Sequence, residues 1–457
     1  MSKKLFNEFK PVSAKAWKQK IQLDLKGADY NDTLIWHSPE GIDVKPFYST
    51  EDLENTLPPI NTNHSWKIYQ TIYVENTSEA NKKAIDVLNR GAESLHFIIS
   101  NDTINPSELL NNIDLKNVSI LFELAFLSKK YAASLNDIAK KEQANFYLLT
   151  DIIGHLAKSG NWYENLKEDH AILENIIANN TSLKSSLSIN VSLYQNSGAN
   201  ITQQLAYALA HANEYLNHLG NSIKNNVVFN VAVGSNYFFE IAKLKALRLL
   251  WHTLALEYYA NPSSCIINAV PTKRNKTIYD YNTNLLRTTT ESMSASLGSV
   301  DFISNLRYDA IYHNDNEFGE RIARNQLLVL KHESYFDAVN NPTEGAYYIE
   351  TLTTQLADKA LAIFKDIEKN GGFLKQLKEG IIQRKIKESA SKEQELFDAE
   401  KIVLLGTNKH INKNDKMKND LERFPFLKIN KRKTLIEPII PIRLSEAIEK
   451  ERLDNEK

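Results

Sequence analysis

The sequence predicts an α/β fold, a parallel sheet with crossover helices arranged as a barrel, between an N-terminal arm and a C-terminal extension. Two observations carry this expectation. First, apolar runs at Ser94–Ile99, Val118–Phe126, Phe146–Ile153, Leu187–Leu193, Val227–Val233 and Cys265–Val270 alternate with helical segments such as Glu79–Asn89 and Ile201–Leu219. Parallel strands need a crossover between them, so regular alternation of strand and helix points to a parallel sheet. Second, Val191–Tyr215 and the residues before it read as one β-to-α step. Leu187, Ile189, Val191 and Leu193 alternate with Ser188, Asn190 and Ser192 at the two-residue period of a strand. Ile201, Leu205, Leu209 and Leu216 then recur at near-helical spacing, with Gln195–Asn200 as the polar turn between. In α/β barrels such turns lie at the C-terminal ends of the strands, the face that carries the chemistry.

Residues 1–59 form the arm, which closes in Leu57-Pro58-Pro59. Its aromatic residues Phe6, Phe9, Trp17, Trp36, Phe47 and Tyr48 predict that it packs on a surface, either its own barrel or a partner. Residues 60–406 are assigned to the barrel. Near its end, Gly371-Gly372 suits a helix stop better than a phosphate loop. Leu374–Leu404 reads as one charged helix, with Lys378, Glu379, Arg384, Lys385, Lys387 and Glu388 facing solvent or another subunit. Residues 407–457 form the extension. Thr407–Asn430 is rich in Lys and Asn and reads as a linker, whereas Leu435–Ile442 is apolar enough to dock on the barrel or on a partner.

Composition narrows the function. The chain has 457 residues with 55 basic and 56 acidic side chains, a net charge of −1 that gives no reason to expect nucleic acid or a membrane surface as partner. Its single cysteine, Cys265, excludes an internal disulfide framework, suits a reducing cytosol and is expected to be a buried small hydrophobe. No apolar run of signal-peptide length follows Lys3 and Lys4, and no segment approaches the ~18 apolar residues of a membrane span, so a cytoplasmic protein is expected. His96, His155 and His252 lie among apolar neighbours without metal-ligand spacing, and structural roles are expected for them. No Walker-type or G-x-G-x-x-G loop appears. Glu240 reads as a buried acid with a structural partner rather than a catalyst.

Longer motifs carry a resemblance. Trp36, Glu40, Gly41, Ile42, Val44, Lys45, Pro46 and Tyr48 match W-x-x-x-E-G-I-x-V-K-P-x-Y. The stretch Val233–Trp251, VGSNYFFEIAKLKALRLLW, is similar to G-x-N-F-F-x-E-I-A-K-L-R-A-A-R-x-L-W. Asn275–Asp301, Arg321–Asn325 and Asn341–Tyr347 continue the match. Over roughly Leu5–Gly406 the chain resembles the coenzyme B12-dependent acyl-CoA mutases, methylmalonyl-CoA mutase in particular. The resemblance implies a (β/α)8 barrel that binds acyl-CoA, together with a cobalamin domain.

The same comparison shows where the chain departs from catalytic members. Their segment S-G-Y-H-M-Q-E-A-G-A-T, aligned on Gln195, Gly198 and Ala199, places Leu193 where a substrate-contacting histidine belongs; a one-residue gap would place Tyr194 there. Leucine can neither donate a proton nor polarise a carbonyl. The pattern Y-x-x-R-x-W-x-x-R-Q, set before the first barrel strand and anchored on Trp66 and Gln70, becomes Asn61, His64 and Tyr69 at its gripping positions. Neither His64 nor Tyr69 reproduces the bidentate grip of arginine on a carboxylate. In G-G-T-Q-S-L-H-T-N, aligned with Gly298–Leu306, the histidine becomes Ser304. None of the eleven histidines stands in the D-x-H-x-x-G motif that coordinates cobalt, and the chain ends at Lys457 without room for a cobalamin domain.

These departures predict no catalytic residue, no metal and no cofactor bound by this chain. The expected role is the non-catalytic small subunit of a heterodimeric mutase. Its catalytic large-subunit partner would hold adenosylcobalamin and interconvert (R)-methylmalonyl-CoA and succinyl-CoA. The alternative is a substrate-binding barrel that borrows cobalamin from a separate small protein, which would require the acyl-CoA contacts to persist. An unrelated barrel enzyme on the same fold ranks last, because no rival catalytic constellation stands out.

Overall fold

The computed structural model describes residues 8–53, 65–258, 265–428 and 431–456. Eight parallel strands close into a barrel in chain order: β1 (Lys67–Val74), β2 (Ser94–Ile99), β3 (Ser119–Leu124), β4 (Asn145–Leu148), β5 (Ser185–Asn190), β6 (Asn226–Val233), β7 (Cys265–Pro271) and β8 (Phe302–Ile303). Closure comes from β8 pairing with both β7 and β1, with Phe302 opposite Asn268 on one side and Lys67 on the other. Side chains alternate across each strand. On β2, Leu95, Phe97 and Ile99 join the apolar layer beneath the helices, which leaves Ser94, His96 and Ile98 on the lumen side.

Helices fill the crossovers, and local chemistry sets their ends. Asn200 and Gln203 form a reciprocal capping box: the Asn200 side chain accepts from the Gln203 amide at 3.0 Å, and Gln203 Oε1 accepts from the Asn200 amide at 3.1 Å. The helix Ile201–Leu219 starts there and buries most of its length. Just before it, Gly198 has φ +101°, and a Cβ at that position would lie 2.4 Å from Ala390 Cβ. Only glycine allows the helix Ile381–Asp398 to approach so closely.

Several sequence expectations are corrected. The Phe146–Ile153 run is a strand only to Leu148; Ile152 and Ile153 open the helix Ile152–Ser159, capped by Asp151. The strand of Leu187–Leu193 ends at Asn190, whose side chain accepts from the Leu193 amide and starts a short helix, Val191–Asn196. Val191 and Leu193 therefore belong to a helix, although their spacing also satisfies a strand. The single helix expected over Leu374–Leu404 is two, Phe373–Lys378 and Ile381–Asp398, broken where Gly380 adopts φ +72°. Gly371-Gly372 does follow a helix end, that of Tyr347–Lys369.

The arm packs in part on its own barrel. Its short ladder pairs Trp36 with Val44, Ile42 is buried in the main core, and Trp36 meets Phe239 edge-on at 5.5 Å. The helix Ala14–Asp24, in contrast, buries none of its residues. Leu57-Pro58-Pro59 and Phe6 lie outside the described residues.

The apolar part of the extension docks on the chain's own barrel. The carbonyl of Gly160 accepts from the Leu435 and Ile436 amides at 2.9 and 3.1 Å, and Ile436 and Ile439 are buried. A Cβ on Gly160 would meet the Ile436 carbonyl at 2.8 Å. The stretch expected as a linker packs too: Met417 is buried with Ile278, Tyr279 and Tyr312. The closing helix Glu446–Asp454 is fixed by Glu449, which accepts from Arg443 at 2.6 Å, Ser445 at 2.9 Å and the Ile278 amide at 3.0 Å. The extension thus lies against the loops that follow β7 and β8, at the C-terminal face of the barrel.

Candidate functional site

The strand period decides what fills the barrel. Tyr69 of β1, Leu121 of β3, Val228 of β6 and Phe302 of β8 form one buried cluster with Leu149, and Tyr147 of β4 packs against it. Tyr147 and Phe302, on opposite strands, meet edge to face at 5.3 Å across the axis. Tyr69 turns its ring edge towards His96 at 5.9 Å. Ser94, Ser119, Ser188 and Asn268 share this interior and are all shielded from water. Aromatic rings therefore cross the axis, with Tyr69 and Phe302 buried and Tyr147 partly buried against them.

Above the plug the lining turns polar. Asn268 Nδ2 donates to Asn230 Oδ1 at 2.9 Å. Burial pushes the Tyr69 phenol upward in pKa, opposed by its hydrogen bond to Asn268, so it stays a neutral hydroxyl. His96 Nε2 faces the Glu123 carboxylate at 3.4 Å. Burial raises the Glu123 carboxyl, but the His96 hydrogen bond and the charges of His96 and Lys158 outweigh it and hold the group below its ordinary range. Glu123 and Tyr73 end their strands at the rim, where Tyr73 is exposed.

Beside the lumen, a buried network ties the loops after β4 and β5 to the helix Ile201–Leu219. Asp151 accepts from the Asn190 amide at 2.8 Å, the Tyr215 hydroxyl at 2.8 Å and the Gly154 amide at 2.7 Å, and lies 2.9 Å from His211 Nε2. The Tyr194 hydroxyl meets His211 Nδ1 at 2.8 Å. Burial raises the Asp151 carboxyl, and the His211 interaction with these donors overcomes it and holds the pKa low.

Among the described residues, the substituted positions are not gathered into one pocket. Asn61 and His64 lie outside the described residues. Tyr69, expected ahead of the first strand, is within β1 and forms part of the plug. Leu193 is buried in the main apolar core, and Tyr194, its alternative, is fully buried on His211. Ser304 follows β8, buried, with its amide donating to the Ala269 carbonyl at 3.1 Å. Tyr69 and Ser304 thus share the barrel interior, while Leu193 has left it.

The single-residue expectations fare unevenly. Cys265 is buried, and burial pushes its thiol up to about 12. Glu240 is buried beside Lys243. His155 stacks on Tyr163 at 3.6 Å. His252, expected among apolar neighbours, is exposed. The His96–Glu123 and Asp151–His211 pairs were missed because their partners are 27 and 60 residues apart in sequence. Strand alternation places His96 and Glu123 on one face, and the i,i+4 spacing of His211 and Tyr215 was a further usable signal.

Among the described residues, no group of three or more His, Cys, Asp or Glu is placed to hold a metal ion. No helix among them is long and apolar enough to cross a membrane. The loops after β7 and β8 are covered by the chain's own extension.

The sequence profile of the family described as methylmalonyl-CoA mutase matches residues 99–437. The methylmalonyl-CoA mutase small subunit of Porphyromonas gingivalis is 35% identical over 442 residues, covering 90% of this chain and 71% of that protein. The methylmalonyl-CoA mutase of Cereibacter sphaeroides is 28% identical over 456 residues, covering 86% of this chain and 64% of that protein. That of Rhizobium meliloti is 26% identical over 457 residues, covering 87% and 64%. The chain therefore spans between 64% and 71% of the length of these relatives.

Proposed function

We propose that this chain, which belongs to the methylmalonyl-CoA mutase family, is a non-catalytic small-type subunit of a heterodimeric mutase. In this reading a catalytic large subunit holds adenosylcobalamin and interconverts (R)-methylmalonyl-CoA and succinyl-CoA, an isomerase step of propionate metabolism in the cytoplasm. The present chain supports that partner and turns over nothing itself.

One observation carries the reading: aromatic side chains from opposite strands meet across the barrel axis. A linear acyl thioester would have to displace Tyr69 and Phe302, which are buried, and Tyr147, which packs against them. Close-packed aromatic contacts of this kind cost several kcal/mol to open. The histidine position of catalytic members aligns with Leu193, in the apolar core, or across a one-residue gap with Tyr194, whose buried hydroxyl is engaged by His211. Partnership draws support from the arm. Its helix Ala14–Asp24 buries nothing, and Val12, Trp17 and Leu23 are exposed at 69%, 52% and 73%. Large apolar side chains gathered on one exposed segment mark an interaction surface.

The test is turnover by the purified chain. With adenosylcobalamin and methylmalonyl-CoA supplied, it should form no succinyl-CoA. Measurable turnover by this chain alone would overturn the proposal.

A further inference from the structure

We infer that a recess on the N-terminal face of the barrel, between β5 and β6, is a binding site for a small organic carboxylate with an apolar tail. The recess has a volume of about 430 Å³, within the range of roughly 300–1,000 Å³ that small-molecule sites occupy. It lies at the end of the barrel opposite the face that the extension covers. Its occupant therefore need not pass the mouth.

A bulge shapes the wall. Ser185 stands opposite Asn226 and Leu187 opposite Val227, so two steps on β5 answer one on β6, and Ser186 is the extra residue. The Ser185 side chain steadies the irregularity: its hydroxyl donates to the Leu187 carbonyl at 2.9 Å and accepts from the Leu187 amide at 3.3 Å. Ser186 is left in the wall of the recess, 4% exposed, and its hydroxyl has no partner among the described residues. A buried hydroxyl without a partner is costly, and a serine side chain can swing among three staggered positions. An acceptor in the recess would recruit it and remove that cost.

The rest of the lining sets the chemistry of the ligand. Ile177, Leu187 and Ile223 supply apolar surface. Lys224 is the one charged residue that lines the recess, and it makes no hydrogen bond or ion pair among the described residues. Its loop is held in place: the Asn225 side chain donates to the Leu183 carbonyl at 2.8 Å, and the Asn226 amide to the Lys184 carbonyl at 3.0 Å. The helices Leu166–Asn179 and Ile201–Leu219 end here, and helix C-termini carry partial negative charge. Both ends are capped, by the Asn180 side chain donating to the Ile176 carbonyl at 2.8 Å and by the Gly220 amide donating to the Leu216 carbonyl. The full charge of Lys224 therefore prevails. A carboxylate can take both the ammonium and the Ser186 hydroxyl, while its tail covers the apolar side chains. This inference does not depend on the mutase reading.

The experiment is titration calorimetry on the full chain with octanoate and, as its neutral counterpart, octanamide. It is repeated for Ser186→Ala, Lys224→Gln and Ala178→Trp, the last at an exposed helical position whose larger side chain would fill the recess. Lys116→Gln, an exposed substitution ahead of β3 on the same face, serves as the control. Octanoate should bind at least about threefold more tightly than octanamide. Lys224→Gln should erase that preference, Ser186→Ala should weaken octanoate about threefold, and Ala178→Trp should abolish binding, while the control changes nothing. Ser186→Ala should also leave the Tm of the ligand-free chain unchanged or raise it, since the hydroxyl has no partner to lose. Melting curves check that each variant is folded. No binding of octanoate, equal binding of octanamide, or binding unaffected by Ala178→Trp would overturn the inference.

Discussion

Truncating Phe302 to alanine removes the keystone of the plug. The side chain is 3% exposed and lies between β1 and β7, with the Tyr147 ring 5.3 Å away. Losing its burial costs roughly 2 kcal/mol of transfer free energy. The vacated volume, roughly 80 Å³ at about 24 cal/mol per Å³, adds about 2 kcal/mol. The sum, about 4 kcal/mol, falls within the usual range for Phe→Ala in a core. Urea unfolding of Phe302→Ala against the native chain measures it, and a fall in Tm on the order of 5–10 °C should accompany it. A dry aromatic cavity also binds small apolar molecules, so benzene should raise the Tm of the variant and not that of the native chain. A loss below about 1 kcal/mol, with no benzene effect, would mean that the lumen is open and solvated.

Three further outcomes follow from the same structure. Asp151→Asn should cost about 3–5 kcal/mol, because it strips a buried partner from His211. The Asp151 pKa is held low, so its contribution is present above the unfolded value of about 4 and is lost as pH falls through the folded value; the variant should show a flatter acid limb in stability against pH. Cys265, its thiol pushed up to about 12 and its side chain buried, should resist a thiol reagent at pH 8 in the native protein and react after unfolding; fast native labelling would contradict its placement. Leu193→His should create no mutase activity and should lower stability by about 2–4 kcal/mol, since it places an imidazole in the apolar core; a gain of turnover would show that position 193 faces a competent site.

The fold was largely legible because buried parallel strands leave continuous apolar runs. The run Ser94–Ile99 is β2 residue for residue, and Ile201–Leu219 is a helix over its full predicted length. Failures occurred where short-range chemistry overrides periodicity. The two-residue β8 is too short to show any period, and β1 was read as part of a motif rather than as a strand. Val191 and Leu193 fit a strand by spacing, yet the Asn190 side chain caps a helix there. Gly380, in a left-handed conformation, cut a helix that charge patterning alone continued. The site was less legible. Aligned motifs located Tyr69 and Ser304, but Tyr147 and Phe302 plug the axis only because the barrel brings opposite strands together.

The most direct test of the central claim is purification of the tagged chain from its native cell, with mass spectrometry of whatever co-elutes. A near-stoichiometric larger chain that carries D-x-H-x-x-G and bound cobalamin is the predicted result. A chain that elutes alone and isomerises methylmalonyl-CoA would contradict the account.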